Sequence, residues 1–256
     1  MRNPEELRDL AEGYLGELAL TPELGGLEDA VRYALAGGGK RIRPVICLAT
    51  GEAAGGDPER VLPAAAALEL VHTFSLVHDD LPALDDDEVR RGQPSTWARF
   101  GEANGILAGD ALLAEAFRLA CSYATPAVAR ELAQATLGMV GGQYLDLSGA
   151  ATDLAALHRL KTGCLFSAAV GLALFAVGVP EREQRPWRAF GDELGLLFQI
   201  VDDILDGDGY VVERGEDGAR ELADGAAARA HERLAGIDAD TSVLAGIVSG
   251  LAVRTS

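Results

Sequence analysis

Apolar residues recur at a spacing near 3.6 along almost the whole chain, the period of an α-helix that buries one face. The pattern predicts helices over 5–18, 27–35, 41–54, 59–80, 100–123, 127–147, 154–177 and 181–206, with weaker ones over 217–235 and 241–253. Connections are short and carry Gly, Pro or Asp, as in Gly55-Gly56-Asp57-Pro58 and Thr125-Pro126, which are residues that stop helices. No linker, repeat or low-complexity stretch divides the pattern. The reading is one all-α domain over residues 1–256, a helical bundle with its site inside the core.

Composition agrees with helices. The chain is 48% hydrophobic and only 5% aromatic, rich in Ala and Leu and poor in β-branched runs. The net charge of −18 repels polyanions, so nucleic acid is excluded as a partner. The start, Met1-Arg2-Asn3-Pro4-Glu5-Glu6, has no apolar signal-peptide core, and the apolar runs read as broken by charges or glycines before membrane-spanning length. No stable membrane insertion is therefore expected. Cys47, Cys121 and Cys164 lack metal-binding spacing and sit in apolar stretches, so each reads as a reduced core residue and the protein as cytoplasmic.

Two helices of the pattern end in dense acid. The first cluster is Asp79-Asp80-Leu81-Pro82-Ala83-Leu84-Asp85-Asp86-Asp87, the second Asp202-Asp203-Ile204-Leu205-Asp206. Carboxylates this close repel unless cations sit between them. Hard divalent cations such as Mg²⁺ take oxygen ligands, usually a few carboxylates completed by water and substrate phosphates. Two acidic helix ends thus point to a cavity in which Mg²⁺ holds a phosphorylated substrate. Asp202 and Asp206 share a helical face, whereas Asp203 is turned about 100° away. Pro82 disfavours helix at Leu81, so the chain can bring Asp85 back beside Asp79.

The cations are arranged to match. Lys40 and Lys161 are the two lysines of the chain, and both lie in glycine-bearing stretches. A lysine is a compact point charge suited to a phosphate oxygen. Arg43 follows Lys40, and Arg90 and Arg91 follow the first acidic cluster, where arginine can bind diphosphate oxygens bidentately or neutralise its acidic neighbours. His72 lies two helical turns before Asp79 on nearly the same face. The Gly37–Lys40 stretch lacks the spacing of a P-loop.

In combination these segments resemble the trans-isoprenyl diphosphate synthases, the short-chain polyprenyl synthetases. Gly38-Gly39-Lys40-Arg41-Ile42-Arg43-Pro44 is similar to the family's first basic motif. Val71 to Pro82, running on to Arg90-Arg91-Gly92, resembles its first aspartate-rich motif in the bacterial form. Gly141-Gly142-Gln143-Tyr144-Leu145-Asp146, Lys161-Thr162-Gly163 and Phe198-Gln199-Ile200-Val201-Asp202-Asp203-Ile204-Leu205-Asp206 are similar to the remaining blocks, in order.

The resemblance implies an all-α isoprenoid-synthase-type bundle around a deep central cavity, a homodimer, and Mg²⁺ bound by both clusters. It implies Asp79, Asp85 and Asp202 as metal ligands, with Asp80, Asp203 and Asp206 in support. Lys40, Arg43, His72 and Arg91 would bind isopentenyl diphosphate. Arg90, Lys161, Thr162 and Gln199 would hold the allylic diphosphate, dimethylallyl or geranyl. Catalysis would rest on Asp79, Asp85, Lys161 and Asp202 through ionisation, condensation and elimination. Phe74, with the small Ser75 beside it, would set chain length and favour farnesyl diphosphate, with geranylgeranyl diphosphate as the alternative product. A terpene cyclase of the same fold and a silent partner subunit are the competing readings. The family's lysine-bearing segment after the second cluster is replaced here by 207–215, which holds no lysine. Arg214 or Arg220 is expected to substitute for it.

Overall fold

The structure is a computed structural model that describes residues 1–149 and 153–253. Its helices are α1 (Pro4–Gly16), α2 (Glu28–Ala36), α3 (Ile42–Ala53), α4 (Pro58–Asp79), α5 (Thr96–Phe100) and α6 (Glu102–Ala120). They continue with α7 (Ala127–Ser148), α8 (Leu154–His158), α9 (Cys164–Val177), α10 (Arg185–Asp206), α11 (Gly209–Ala235) and α12 (Ser242–Ala252). The buried side chains form one continuous apolar cluster. At its centre α4 packs against α3, α6 and α9, while α10 packs against α9 and α11.

Each helix follows from its residues. In α10, Trp187, Phe190, Leu194, Leu197 and Val201 are buried at steps of three and four, the signature of one core-facing stripe. In α4, Asp57 accepts from the Glu59 amide at the N-cap, and Pro58 takes the first turn, where its missing N–H costs nothing. Pro63 would break this helix further in. The Tyr123 hydroxyl mends the break: it donates to the Arg60 carbonyl (2.6 Å) and accepts from the Ala64 amide (3.1 Å), bridging the pair the proline separates.

The structure departs from the periodic reading in several places. The helix expected over 100–123 is split at Gly101, whose φ of 88° no helix allows. That expected over 154–177 carries five π-helical residues, Arg159–Gly163, between α8 and α9. The weak C-terminal helix begins earlier, at Gly209, and is kinked at Gly215. A hairpin of β1 (Val89–Arg90) and β2 (Gln93–Pro94) follows the first acidic cluster, turning at Arg91 and Gly92 with φ of 54° and 75°.

Two further expectations are corrected. Pro58–Asp79 and Leu154–Val177 are long and apolar enough to cross a bilayer, because one proline or a few polar residues dilute such runs too little. Their most apolar windows are 72% and 56% buried against the rest of the protein. Cys121 is exposed at the end of α6, unlike buried Cys47 and half-buried Cys164.

Candidate active site

The first acidic cluster folds back as the proline predicts. The Asp85 amide donates to the Asp79 carbonyl (2.9 Å), and the Asp87 amide to the Asp80 carbonyl (3.1 Å). Asp79 ends α4, so the loop sets Asp85 beside the helix end. From there the hairpin carries Arg90 back over the cluster, where its Nε lies 2.6 and 2.8 Å from the two Asp80 oxygens.

The six aspartates divide into two kinds. Asp80 and Asp203 are each 2% exposed and engaged. Asp80 is held by Arg90, and Asp203 accepts from the Gln199 amide (2.7 Å) and the Tyr210 backbone N–H (2.8 Å). Each of these carboxylates thus already has protein partners, while its oxygens keep further lone pairs. Gln199 likewise serves Asp203 and lines a separate cavity, away from the expected diphosphate place. Among the described residues, the side chains of Asp79, Asp85, Asp202 and Asp206 hold no hydrogen bond or ion pair. They form an all-oxygen donor set suited to a hard cation.

Burial raises the carboxyls of Asp79 and Asp202, and that of engaged Asp80 as well. Burial pushes the Asp79 carboxyl up to about 6; Lys161 opposes the rise and Asp85 adds to it. Folding thus disfavours the ionised Asp79, and stability falls as pH rises from 3.8 to about 6. A bound cation would remove that penalty. Asp202 is also raised, by burial first and then by Asp206 and Asp203, while Arg43 pulls it down. Among the described residues no three Asp, Glu, His or Cys side chains converge into a closed metal cage. Open pairs of carboxylates fit Mg²⁺, which completes its shell with water and phosphate oxygens.

Beside Asp79 lies a cavity of about 420 Å³. Asp79, Arg43, His72, Lys161 and Thr162 line one part, and Phe74, Ser75, Met139, Val140 and Leu147 supply much of the remaining wall. Arg43 is 8% exposed, lies 4.7 Å over the Phe166 ring, and its buried Nε lacks a hydrogen-bond partner. Burial and the field of Arg43, Arg91, Arg41 and Arg90 hold the His72 imidazole neutral, well below its usual range. Phe74 packs edge-on against His78, with ring centroids 4.9 Å apart. A smaller adjoining pocket of about 150 Å³ is lined by His72, Asp80, Arg90 and Arg91.

Lys161 and Thr162 lie on the π segment, a wider turn that recurs at functional sites. Two glycines admit it. A Cβ on Gly142 would come within 2.5 Å of the Lys161 amide nitrogen, and one on Gly195 within 3.1 Å of the Gly163 Cα. The segment is therefore pressed between α7 and α10, and Lys161 Nζ donates to Asp146 (2.5 Å).

Residues 25–227 match the family model described as polyprenyl synthetase. The chain belongs to this family. It is 45% identical over 193 residues to a geranylgeranyl diphosphate synthase of Cyanophora paradoxa, covering 70% of this chain and 64% of that one. It is 43% identical over 198 residues to a farnesyl diphosphate synthase of Geobacillus stearothermophilus, covering 72% of this chain and 67% of that one. Among solved structures, a geranyltransferase from Legionella pneumophila superimposes with a TM-score of 0.88 at 33% identity, over 98% of this chain and 96% of the other. The helical fold is thus that of the isoprenoid synthases.

For this polyprenyl synthetase, some expected residues lie elsewhere. Lys40 is exposed and lines a groove formed with α1 and α12, because Gly38 and Gly39 turn the chain with φ of 72° and 147°. Arg91 donates to the Gly38 carbonyl. Arg214 pairs with Glu213 (3.4 Å) and Arg220 with Glu216 (2.8 Å) on α11, and neither lines the cavities above.

Other residues at the site carried no assigned role in the sequence reading. Gln143 lines the cavity with its buried Oε1 unpartnered, and Asp146 anchors Lys161. Arg41, four per cent exposed, ties the basic loop down through Glu12 (2.8 Å) and Glu69 (2.7 Å). Its position inside the basic motif was the available signal.

Proposed function

We propose that this chain, as one polyprenyl synthetase domain, is a Mg²⁺-dependent prenyltransferase that joins isopentenyl diphosphate to an allylic diphosphate, dimethylallyl or geranyl. The observation that carries this reading is Asp79 on the wall of an apolar cavity that also presents Arg43, His72, Lys161 and Thr162, with Asp85 beside Asp79 and Asp202 in the field of Arg43. The allylic carbon–oxygen bond breaks and inorganic diphosphate leaves. The allylic carbon then alkylates the isopentenyl double bond, and a proton passes to the released diphosphate.

Asp79, Asp85, Asp202 and Asp206 would hold Mg²⁺, which when bound neutralises diphosphate oxygens and stabilises the leaving group. Lys161 and Thr162 hold the allylic diphosphate, Lys161 exchanging its contact with Asp146 for a phosphate oxygen. Arg43, neutral His72 and Arg91 hold isopentenyl diphosphate. Lys40 joins them when the glycine-rich loop 37–40 rearranges. Buried Phe74 and Met139 keep water from the reacting carbons.

The buried Phe74 ring supports farnesyl diphosphate as the main product; geranylgeranyl diphosphate is the second candidate, since relatives carry both names. Exposed apolar residues on α6 (Ile106, Leu107) and α7 (Leu137, Val140, Tyr144) support a homodimer. The working location is the cytosol.

The test is to incubate the purified protein with isopentenyl and dimethylallyl diphosphates and Mg²⁺ and to size the products. Prenyl diphosphates of fifteen or twenty carbons support the reading. A hydrocarbon made from the allylic substrate alone would indicate a cyclase, and no product at all a non-catalytic subunit.

A further inference from the structure

We propose that His158 is a positioning residue that locks the Lys161 side of the site to the second aspartate cluster when a diphosphate binds. The inference rests on the reading above for the identity of that ligand. His158 is the last residue of α8, immediately before the π segment and three residues ahead of Lys161. Its ring is held edge-on by Tyr210, with centroids 5.3 Å apart. Its Nδ1 is buried, has no hydrogen-bond partner, and lies 3.7 Å from Asp203 Oδ2.

A buried polar nitrogen without a partner is costly, and a hydrogen bond forms at about 2.7–3.2 Å. A shift of under ~1 Å would close this one. The ring has room to make it, because His158 also lines a cavity of about 260 Å³ with Arg159, Ser167, Asp192 and Gln199.

Asp203 is the fixed end of the contact. It is anchored by Gln199 from its own helix and by the Tyr210 N–H from α11. A Cβ on Gly209 would lie 2.1 Å from its Oδ2, so only glycine lets the chain pass so close. Closing His158 onto Asp203 therefore joins three pieces: the π segment with Lys161 and Thr162, the end of α10 with Asp202 and Asp206, and the start of α11. A diphosphate drawn to Lys161 and Thr162 pulls on the His158 side of this junction. The His158 contact would thereby link α11, the segment without phosphate-binding lysines, to the diphosphate.

The test uses the full chain with ¹⁵N-labelled histidine, titrated with Mg²⁺ and inorganic pyrophosphate. An imidazole Nδ1–H resonance of His158 should become slowly exchanging when both are present. In turnover assays, His158→Ala should raise KM for the allylic diphosphate about tenfold and leave KM for isopentenyl diphosphate within twofold. His158→Asn, which keeps a donor near the Nδ1 position, should recover most of the loss.

An unchanged resonance, equal effects on both KM values, or no recovery with Asn would each overturn the proposal. If His158→Ala does not fold, the resonance in the unmodified protein decides. A protein that shows the resonance but makes no prenyl product would refute the prenyltransferase reading and keep the lock. Product without the resonance would do the opposite.

Discussion

Replacing Phe74 with alanine should lengthen the product. Phe74 is five residues before Asp79 on α4, so at ~1.5 Å per residue it stands about 7.5 Å along the helix axis from the acidic end. The ring is 8% exposed, lines the 420 Å³ cavity, and is braced by His78. A chain whose diphosphate is fixed at the acidic end must pass this ring to grow. Turning a tenfold preference for the fifteen-carbon product into a tenfold preference for the twenty-carbon one is a hundredfold change, about 2.7 kcal/mol. Forcing extra methylenes into a filled space costs ~1–3 kcal/mol, so removing one ring is of the right size. Phe→Ala in a closed core would cost ~3–5 kcal/mol of stability. Here one side of the ring already faces open volume, so a smaller loss is expected, and Phe74→Leu serves as a milder companion. The assay is chromatographic sizing of dephosphorylated products made from labelled isopentenyl diphosphate. An unchanged distribution in a folded Phe74→Ala protein would refute the reasoning and put the stop elsewhere in the cavity.

Other outcomes follow from the division of the aspartates and the placement of side chains. Asp80→Asn should lower the melting temperature more than Asp85→Asn, because it weakens the buried Asp80–Arg90 pair; Arg90 is partly exposed, so the difference is about 1–2 kcal/mol by thermal melting. Arg214→Ala and Arg220→Ala should each change KM for the allylic substrate less than about threefold, since each pairs with an adjacent glutamate worth under ~1 kcal/mol, and a larger rise in either would restore the expected substitution. At pH 8 a thiol reagent should modify exposed Cys121 quickly and the other two cysteines slowly. Burial pushes the Cys164 thiol up to about 11, leaving about one thiolate in a thousand, and raises Cys47 as well. Equal labelling of all three, followed by mass spectrometry, would contradict the described burial.

The helical layout was legible because burial in this fold follows helical period, as α10 shows with its stripe from Trp187 to Val201. The return of Asp85 to Asp79 was legible from Pro82, a local steric effect. The protein partners of Asp80 and Asp203 were not. Spacing turns Asp203 away from Asp202 but does not reveal that Gln199 and Tyr210 meet it there. Asp80 depends on a hairpin whose Arg91-Gly92 turn gives only a faint signal. The π segment was hidden because its cause, close backbone approach at Gly142 and Gly195, lies on two other helices. Lys40 illustrates the limit of motif position: the loop geometry, set by two positive-φ glycines, leaves it on a neighbouring groove.

The central claim is that the free carboxylates act through a divalent cation on a diphosphate. The most direct measurement is prenyl-product turnover against Mg²⁺ concentration for the unmodified protein, Asp79→Ala and Asp202→Ala, with a chelator as zero. The account predicts no turnover without the cation and a loss of a hundredfold or more in each variant. Turnover that persists in the chelator, or losses below tenfold in both variants, worth under about 1.4 kcal/mol of barrier, would contradict it.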